Sequence, residues 1–319
     1  MRLIKLASLN YHYQKQLNHG TWKNCLPLPV TLAIRKYNMN RQQCLKLCDK
    51  IDKSNNIGDC IVAIESLLKS SYCKGYFRHY AKKLLNGLAN NKPFFAIISK
   101  NGNSKLPFYA FSSLPVYSCP GMGICQTWCY SLKAWRYPAA FFRQVQNFIL
   151  MKYDRNKIIE SFNEIKTDAS FRLYVDGDFS NKEDCIFWFN LLKTRQDIST
   201  YGYSKSWDII FSCKDNYPSN YHLNLSSGGS IQSTSKQDML ALSITRGEFI
   251  AVQIPKLTRD KQKIRFSLPE YHNSVREAGK ALTGKNGFSC PGKCGECANS
   301  SHACGNNKFD GIPIYIGVH

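Results

Sequence analysis

The stretch that decides the fold runs from residue 172 to residue 192 and reads RLYVDGDFSNKEDCIFWFNLL. It joins a short apolar strand, Arg172–Val175, to a helix, Ile186–Leu192, through a polar connection. Strands and helices alternate with short connections after it as well. This pattern predicts an α/β fold with a mostly parallel sheet or a partial TIM-like barrel.

The spacing of apolar residues predicts the positions of the other strands and helices. A hairpin at 94–98 and 108–111 is followed by a long helix that begins at Pro138 and runs to about Ile165. Beyond the quoted stretch, the pattern predicts strands at 200–203, 209–211, 221–225, 249–254 and 312–318 and a helix at 237–242.

Three regions follow from these elements: a helical N-terminal region at 1–92, a barrel-like core at 93–285 and a C-terminal cysteine-rich, metal-binding segment with the final strand at 286–319. The N-terminal region carries apolar residues at helical spacing within 44–51, 61–68 and 76–88. Its cysteines on these faces are predicted to be small core residues and not ligands: Cys44, Cys48, Cys60 and Cys73.

Two cysteine clusters begin with the same four residues, Ser-Cys-Pro-Gly, at 118 and at 289. They predict metal sites, since thiolates are strong donors and Pro and Gly turn backbone amides toward bound sulfur. A disulfide framework is disfavoured, because residues 1–30 lack the apolar run of a signal peptide and 319 residues can bury a proper core. The predicted ligands are Cys119, Cys125 and Cys129 in the first cluster, and Cys290, Cys294, Cys297 and Cys304 in the second.

The formal net charge is +21, from 43 basic and 22 acidic residues, and predicts an anionic partner such as nucleic acid or a nucleotide. No stretch approaches the length of a membrane span, so we expect no membrane partner and a cytoplasmic protein, in the host cytoplasm if phage-encoded. Lys133, Arg136 and Arg143 lie beside the first cluster and are candidate substrate contacts, although such residues more often form a solvated helix face.

In parallel α/β folds, chemistry gathers at the carboxyl ends of the strands. Besides the first cluster, three polar segments fall at such ends, and their glycines and hydroxyls could receive charged ligand groups. They contain Asp176, Gly177 and Asp178; Ser204, Lys205 and Ser206; and Ser226, Ser227 and Gly228.

These motifs resemble a family of phage and plasmid proteins named after mycobacteriophage gene product eighty-eight. The similar stretches are 119–131, the strand leading into 177–179, 203–206 and 290–305, within about residues 94–319. The resemblance implies a mobile-element origin and says little about the reaction.

A looser likeness is to radical S-adenosylmethionine enzymes, which carry three cysteines after the first barrel strand. It implies an open 4Fe-4S cluster on the first cysteine cluster and a closed site on the second, where four thiolates could hold another iron–sulfur cluster. The polar strand ends would then bind S-adenosylmethionine, whose cleavage to a 5′-deoxyadenosyl radical starts the reaction. The spacing departs from the usual pattern, with five and then three residues between cysteines instead of three and then two.

Two alternatives stay open. A zinc-stabilised nucleic-acid-binding protein would hold zinc on the second cluster, and on the first with His302 or His319. Exposed Trp128, Trp135 and Tyr137 would then stack on bases. A nuclease or other hydrolase would instead bind Mg²⁺ through the carboxylates at 176 and 178, which share one face of an extended chain.

Overall fold

The structure is a computed structural model. It describes residues 41–101, 107–127, 129–254, 258–259, 262–263, 269–292, 294 and 303–318. Cys297, His302, His319 and Trp128 lie outside the described residues, so the predictions made for them stay predictions.

Three helices open the described chain, as the helical period predicted: α1 (Arg41–Asp52), α2 (Ile57–Lys69) and α3 (Gly75–Ala89). Asn56 caps α2, its side chain accepting a hydrogen bond from the Asp59 amide at 2.9 Å. The apolar faces of these helices pack on one another and on a later helix, and all four N-terminal cysteines predicted to be core residues are buried there. That part of the prediction is confirmed.

The predicted hairpin is present as β1 (Ile98–Ser99) and β2 (Tyr109–Phe111), paired antiparallel. A short helix, α4 (Tyr130–Ala134), then leads to α5 (Pro138–Tyr153) and α6 (Arg155–Asn163). Pro138 stands at the start of α5, as expected. The single long helix predicted to reach residue 165 is wrong, because the chain leaves helical geometry at Asp154, whose φ is −150° and ψ is 69°.

The remaining elements alternate strand and helix. They are β3 (Ser170–Leu173), α7 (Lys182–Lys193), β4 (Ser199–Ser204), α8 (Trp207–Phe211), β5 (Tyr221–Ser226), α9 (Lys236–Leu240), β6 (Thr245–Gln253), β7 (Thr258–Arg259), β8 (Gln262–Lys263), α10 (Pro269–Thr283), β9 (Phe288–Ser289) and β10 (Ile314–Val318). The strand predicted at 209–211 is helix α8, because the buried Ile210 packs on the core from one side of a helical turn.

Eight strands form one sheet in the order β1-β2-β3-β4-β5-β6-β10-β9. Every pairing from β2 to β9 is parallel, which confirms a mixed α/β fold with a mostly parallel sheet. The strands described do not close into a barrel, since β1 and β9 stand at opposite ends of the sheet.

Side chains alternate across the sheet and give its two faces different characters. One face is apolar and packs on α6, α7, α8 and α9 in a large aromatic core that includes Phe171, Leu173 and Leu223. The other face is polar along β3, β4 and β5, and the turn at Ala303–Gly305 contacts β4 and β5 there. The sheet therefore carries its polar groups on the side away from the helices.

The C-terminal part packs α10 against β6 and β10 through a small core that contains Tyr271, Val275 and Tyr315. Helix α10 lies inside the predicted barrel-like core but was not itself predicted. Among the described residues, no helix is long and apolar enough to span a membrane.

Candidate functional site: the carboxyl edge of the sheet

The first cysteine loop lies directly against the carboxyl ends of β4 and β5. The Cys125 amide donates to the Gly228 carbonyl at 2.9 Å, and the Ser230 amide donates to the Gly121 carbonyl at 2.9 Å. A Cβ on Gly121 would lie 1.9 Å from the carbonyl oxygen of Lys205. Glycine is therefore required at position 121, inside the first cluster, because the two backbones approach so closely there.

Asp178 holds the end of β4 to the end of β3. Its Oδ1 accepts hydrogen bonds from Ser204 Oγ at 2.7 Å and from the Phe179 amide at 2.8 Å, and its Oδ2 accepts from the Lys205 amide at 2.8 Å. Burial raises the pKa of Asp178, while these three donors lower it. Three of the roughly four acceptor sites of this carboxylate are therefore already used by protein donors, which leaves little of it for an Mg²⁺ ion.

Asp176 differs from Asp178 in its bonding. The residue is 7% exposed, and its carboxylate has no hydrogen-bond or ion-pair partner within the described part of the chain, although Arg143 and Tyr130 lie within electrostatic range. Gly177, between the two aspartates, has a φ of +84°, and a Cβ there would lie 2.5 Å from Ser118 Oγ. Glycine at 177 thus lets the acidic turn pack against the start of the first cluster.

The third strand end completes this edge. Lys205 Nζ donates to Ser226 Oγ at 2.7 Å and lies near Cys129. Ser227 Oγ accepts a hydrogen bond from the Ala251 amide at 2.8 Å. The structure therefore brings together all the strand-end segments selected from the sequence, beside the first cluster. Their roles toward a ligand stay predictions.

The three thiols of the first cluster influence one another. Burial raises the pKa of Cys119 well above its usual range, and Asp178, Cys129 and Cys125 add to the rise. Burial also raises the pKa of Cys129, whereas a hydrogen bond from the Leu132 amide lowers it. As thiolates, these sulfurs would need a cation nearby.

Two groups hold the C-terminal cysteine segment on the polar face of the sheet. Asn224 Nδ2 donates to the Cys304 carbonyl at 2.8 Å and its Oδ1 accepts from Arg246 Nε at 2.6 Å. Arg246 Nη1 donates to the Phe309 and Ile312 carbonyls at 2.7 and 3.0 Å. This segment is thus part of the same site and not a separate appendage.

The described cysteines of the second cluster surround a pair of tyrosines on β4. Cys304 accepts a hydrogen bond from Tyr203 and lies near Cys294, while Cys294 also lies beside Tyr201. The Gly292 amide donates to Cys290 Sγ at 3.4 Å. An amide is therefore turned toward sulfur in the Pro-Gly context, as the sequence predicted.

Arg172 connects the two clusters across the polar face. Its Nη2 donates to Tyr130 Oη at 3.1 Å, next to Cys129, and its guanidinium carbon lies 4.7 Å from the centroid of the Tyr203 ring. Sequence reasoning missed Arg172 as a site residue. A cation that alternates with buried Phe171 and Leu173 in a strand was the available signal.

The aromatic and basic residues predicted near the first cluster have different fates. The prediction that Trp135 is exposed and stacks on bases is wrong, because its side chain packs with Phe141 in the helical core and is 0% exposed. Its Nε1 donates a hydrogen bond to Gln144 Oε1 at 2.9 Å. Tyr137 is exposed, with Arg136 over its ring. Arg143 lies near Asp176, and the side chain of Lys133 is outside the described atoms.

Within the described residues, no group of three or more His, Cys, Asp or Glu side chains is placed so that it could hold a metal ion. Three buried polar atoms in and around the site nevertheless have no hydrogen-bond partner among those residues: Gln126 Nε2, Ser206 Oγ and Arg172 Nε. Buried polar groups in proteins are normally satisfied, so these atoms mark positions where a ligand could bind.

The fold and this edge define a class: a mixed α/β protein whose mostly parallel sheet gathers cysteines, acidic groups and lysine at its carboxyl edge. The model of one family, described as Gene product 88, matches residues 78–307. The chain therefore belongs to the Gene product 88 family, which confirms the resemblance drawn from its motifs. No curated protein and no solved structure matches the chain.

Proposed function

We propose that this protein is an iron–sulfur enzyme of the radical S-adenosylmethionine type that acts on an anionic substrate such as a nucleotide or nucleic acid. The observation that carries the proposal is the position of the first cysteine loop, which follows β2 and packs on the carboxyl ends of β4 and β5. Three thiols, an unpartnered carboxylate and an ammonium group share that edge.

Strand order supports the same proposal. The parallel strands β2, β3, β4, β5, β6 and β10 neighbour one another in chain order. Sequential parallel order with helices on one face is how a partial barrel is built, and its inner face is then available for a ligand. The polar face that carries Arg172, Tyr203 and Asn224 would be that inner face.

The residues present fit an iron–sulfur cluster and S-adenosylmethionine by donor chemistry, although the three thiols would have to draw together to act as ligands. When bound, the cluster would supply the electron for reductive cleavage of S-adenosylmethionine. Cys119, Cys125 and Cys129 would hold it. The chain itself would bind, orient and shield the reactants.

Individual groups at the edge suit parts of S-adenosylmethionine. The Asp176 carboxylate would accept hydrogen bonds from the amino group, since it is buried and without a partner among the described residues. Lys205, which lies beside both the cluster and Ser226, would bind the carboxylate. Ser206 Oγ supplies an unused donor at the end of β4.

The test starts with anaerobic purification and measurement of iron, acid-labile sulfide and zinc. We expect about four iron and four sulfide for each loaded site, and formation of 5′-deoxyadenosine and methionine when a reductant and S-adenosylmethionine are added. The triple variant Cys119→Ser, Cys125→Ser, Cys129→Ser should lose one site of iron and all cleavage. Cys73→Ser, a buried thiol in the helical core, is the matched control and should retain both.

A second candidate is a zinc-stabilised nucleic-acid-binding protein, favoured by the net charge of +21. It predicts about one or two zinc ions and no iron after anaerobic reconstitution. It also predicts salt-sensitive binding of single-stranded DNA or RNA without cleavage of S-adenosylmethionine. That pair of results would refute the enzyme and support the binding protein.

A further inference from the structure

We propose that Arg172 binds the oxyanion group of the substrate, a phosphate or a carboxylate, in the space between the two cysteine clusters. The inference rests on the proposed function for the identity of that ligand as a substrate. Binding of the oxyanion itself is a separate property that can be measured without any reaction.

Within the described residues, no carboxylate forms an ion pair with Arg172, which projects from the polar face of β3. Its electrostatic neighbours are Tyr130, Tyr203, Tyr201 and Cys294. A partly buried guanidinium without a nearby carboxylate is costly, and an anionic ligand would remove that cost.

A guanidinium offers five N–H donors, and among the described residues one nitrogen of Arg172 has an acceptor, at Tyr130 Oη. Its Nε is buried and has no partner there. The planar arrangement of these donors suits the paired oxygens of a phosphate or carboxylate.

Arg172 lies between two tyrosines. Tyr130, whose exposed fraction is 55%, stands at the surface, and Tyr203, hydrogen-bonded to Cys304, stands at the second cluster. The guanidinium carbon lies 4.7 Å from the centroid of the Tyr203 ring, within the range of a cation–π contact. An oxyanion at Arg172 would therefore be reachable from solvent and would hold the rest of a substrate near the first cluster.

The half-buried rings of Tyr203, Phe249 and Phe108, which are joined by the buried ring of Tyr201, add a surface for the remainder of that substrate. The ring of Tyr203 lies 4.6 Å from that of Phe249 and 6.1 Å from that of Tyr201, centroid to centroid. The ring of Tyr201 in turn lies 6.3 Å from that of Phe108. A cation beside an aromatic row suits a ligand that combines an anionic group with a flat or apolar part.

The probes are inorganic phosphate and acetate, titrated into the purified protein by calorimetry at constant ionic strength without S-adenosylmethionine. We expect saturable binding of one or both, which also identifies the preferred oxyanion. Arg172→Gln should weaken binding by about ten- to a hundredfold, the range for loss of a charge-assisted hydrogen bond. Arg276→Gln, which removes an exposed arginine on α10 away from both cysteine clusters, should leave binding unchanged.

A second measurement needs no variant to fold. Wild-type protein is treated with phenylglyoxal with and without the bound probe, and modified arginines are mapped by mass spectrometry. The probe should protect Arg172 and leave the exposed Arg276 unprotected.

No binding of either probe, or equal modification of Arg172 with and without a bound probe, would overturn the inference. Absence of iron and of cleavage would refute the proposed function while leaving oxyanion binding at Arg172 intact, so the two failures are distinguishable.

Discussion

Asp178→Asn is the sharpest test of how the edge of the sheet is built. The substitution keeps the shape of the side chain and changes one acceptor oxygen into an amide donor. With Oδ1 retained, the hydrogen bonds from Ser204 Oγ and the Phe179 amide survive. The new amide group then faces the Lys205 amide across 2.8 Å, so that two donors meet.

The size of the effect follows from these contacts. A hydrogen bond to a charged acceptor contributes about 1.5–3 kcal/mol, and a buried donor left without an acceptor costs about 1–3 kcal/mol. The two figures overlap, because they describe the same Lys205 amide. Removing the charge of a side chain that is 5% exposed offsets part of the loss. We therefore expect the free energy of unfolding to fall by about 2–3 kcal/mol.

Urea unfolding at pH 7, followed by far-ultraviolet circular dichroism, measures this change as a lower midpoint with an unchanged slope. Asp215→Asn, at an exposed aspartate, is the matched control and should stay within about 0.5 kcal/mol of the wild type. If Asp178→Asn also stayed within that range, Asp178 would not be holding the strand ends together.

Two further predictions concern the same part of the molecule. Gly121→Ala places a Cβ 1.9 Å from the Lys205 carbonyl oxygen, so one of the two backbones must move. We expect the free energy of unfolding in urea to fall by at least about 3 kcal/mol. A fall below about 1 kcal/mol would contradict this close approach of the two backbones. Asp208 accepts hydrogen bonds from Ser233 and Thr234, and although partial burial raises its pKa, these bonds bring the pKa down to about 2. Because the folded-state pKa of Asp208 is depressed, we expect the free energy of unfolding of wild type to exceed that of Asp208→Asn by roughly 1 kcal/mol above about pH 4. This difference should vanish as the pH falls to about 2. The pH dependence of the two urea midpoints measures it. An equal difference at pH 2 and pH 6 would show that the shift does not stabilise the fold.

The alternation of strands and helices could be predicted because hydrophobic period is local. The elements around β3 and α7 follow their patterns, and the segment at 209–211 shows the limit. Three consecutive apolar residues fit a strand or a helix equally well, and the helix buries Ile210 fully while Ile209 and Phe211 pack on the same core half-buried. Helix α10, with its polar composition, left too weak a pattern to be predicted.

For the site as well, some features could be predicted from the sequence and others were decided by packing. Cysteine clusters and polar strand ends were visible from residue type and spacing, and parallel topology was enough to bring the strand ends together. Trp135 shows what such patterns do not contain, because a tryptophan beside a cysteine loop can face solvent or a core, and Phe141 and Gln144 decided for the core.

The sequence by itself determined the α/β class, the buried N-terminal cysteines and the residues available at the carboxyl edge, because each depends on patterns within a short segment. Only the tertiary structure decided that Asp178 is bound by three donors while Asp176 is not, and that Arg172 lies between Tyr130 and Tyr203. Apart from the bond from the Phe179 amide to its neighbour Asp178, those contacts join residues that are tens of positions apart. Their energies depend on distance and burial, which no local pattern specifies.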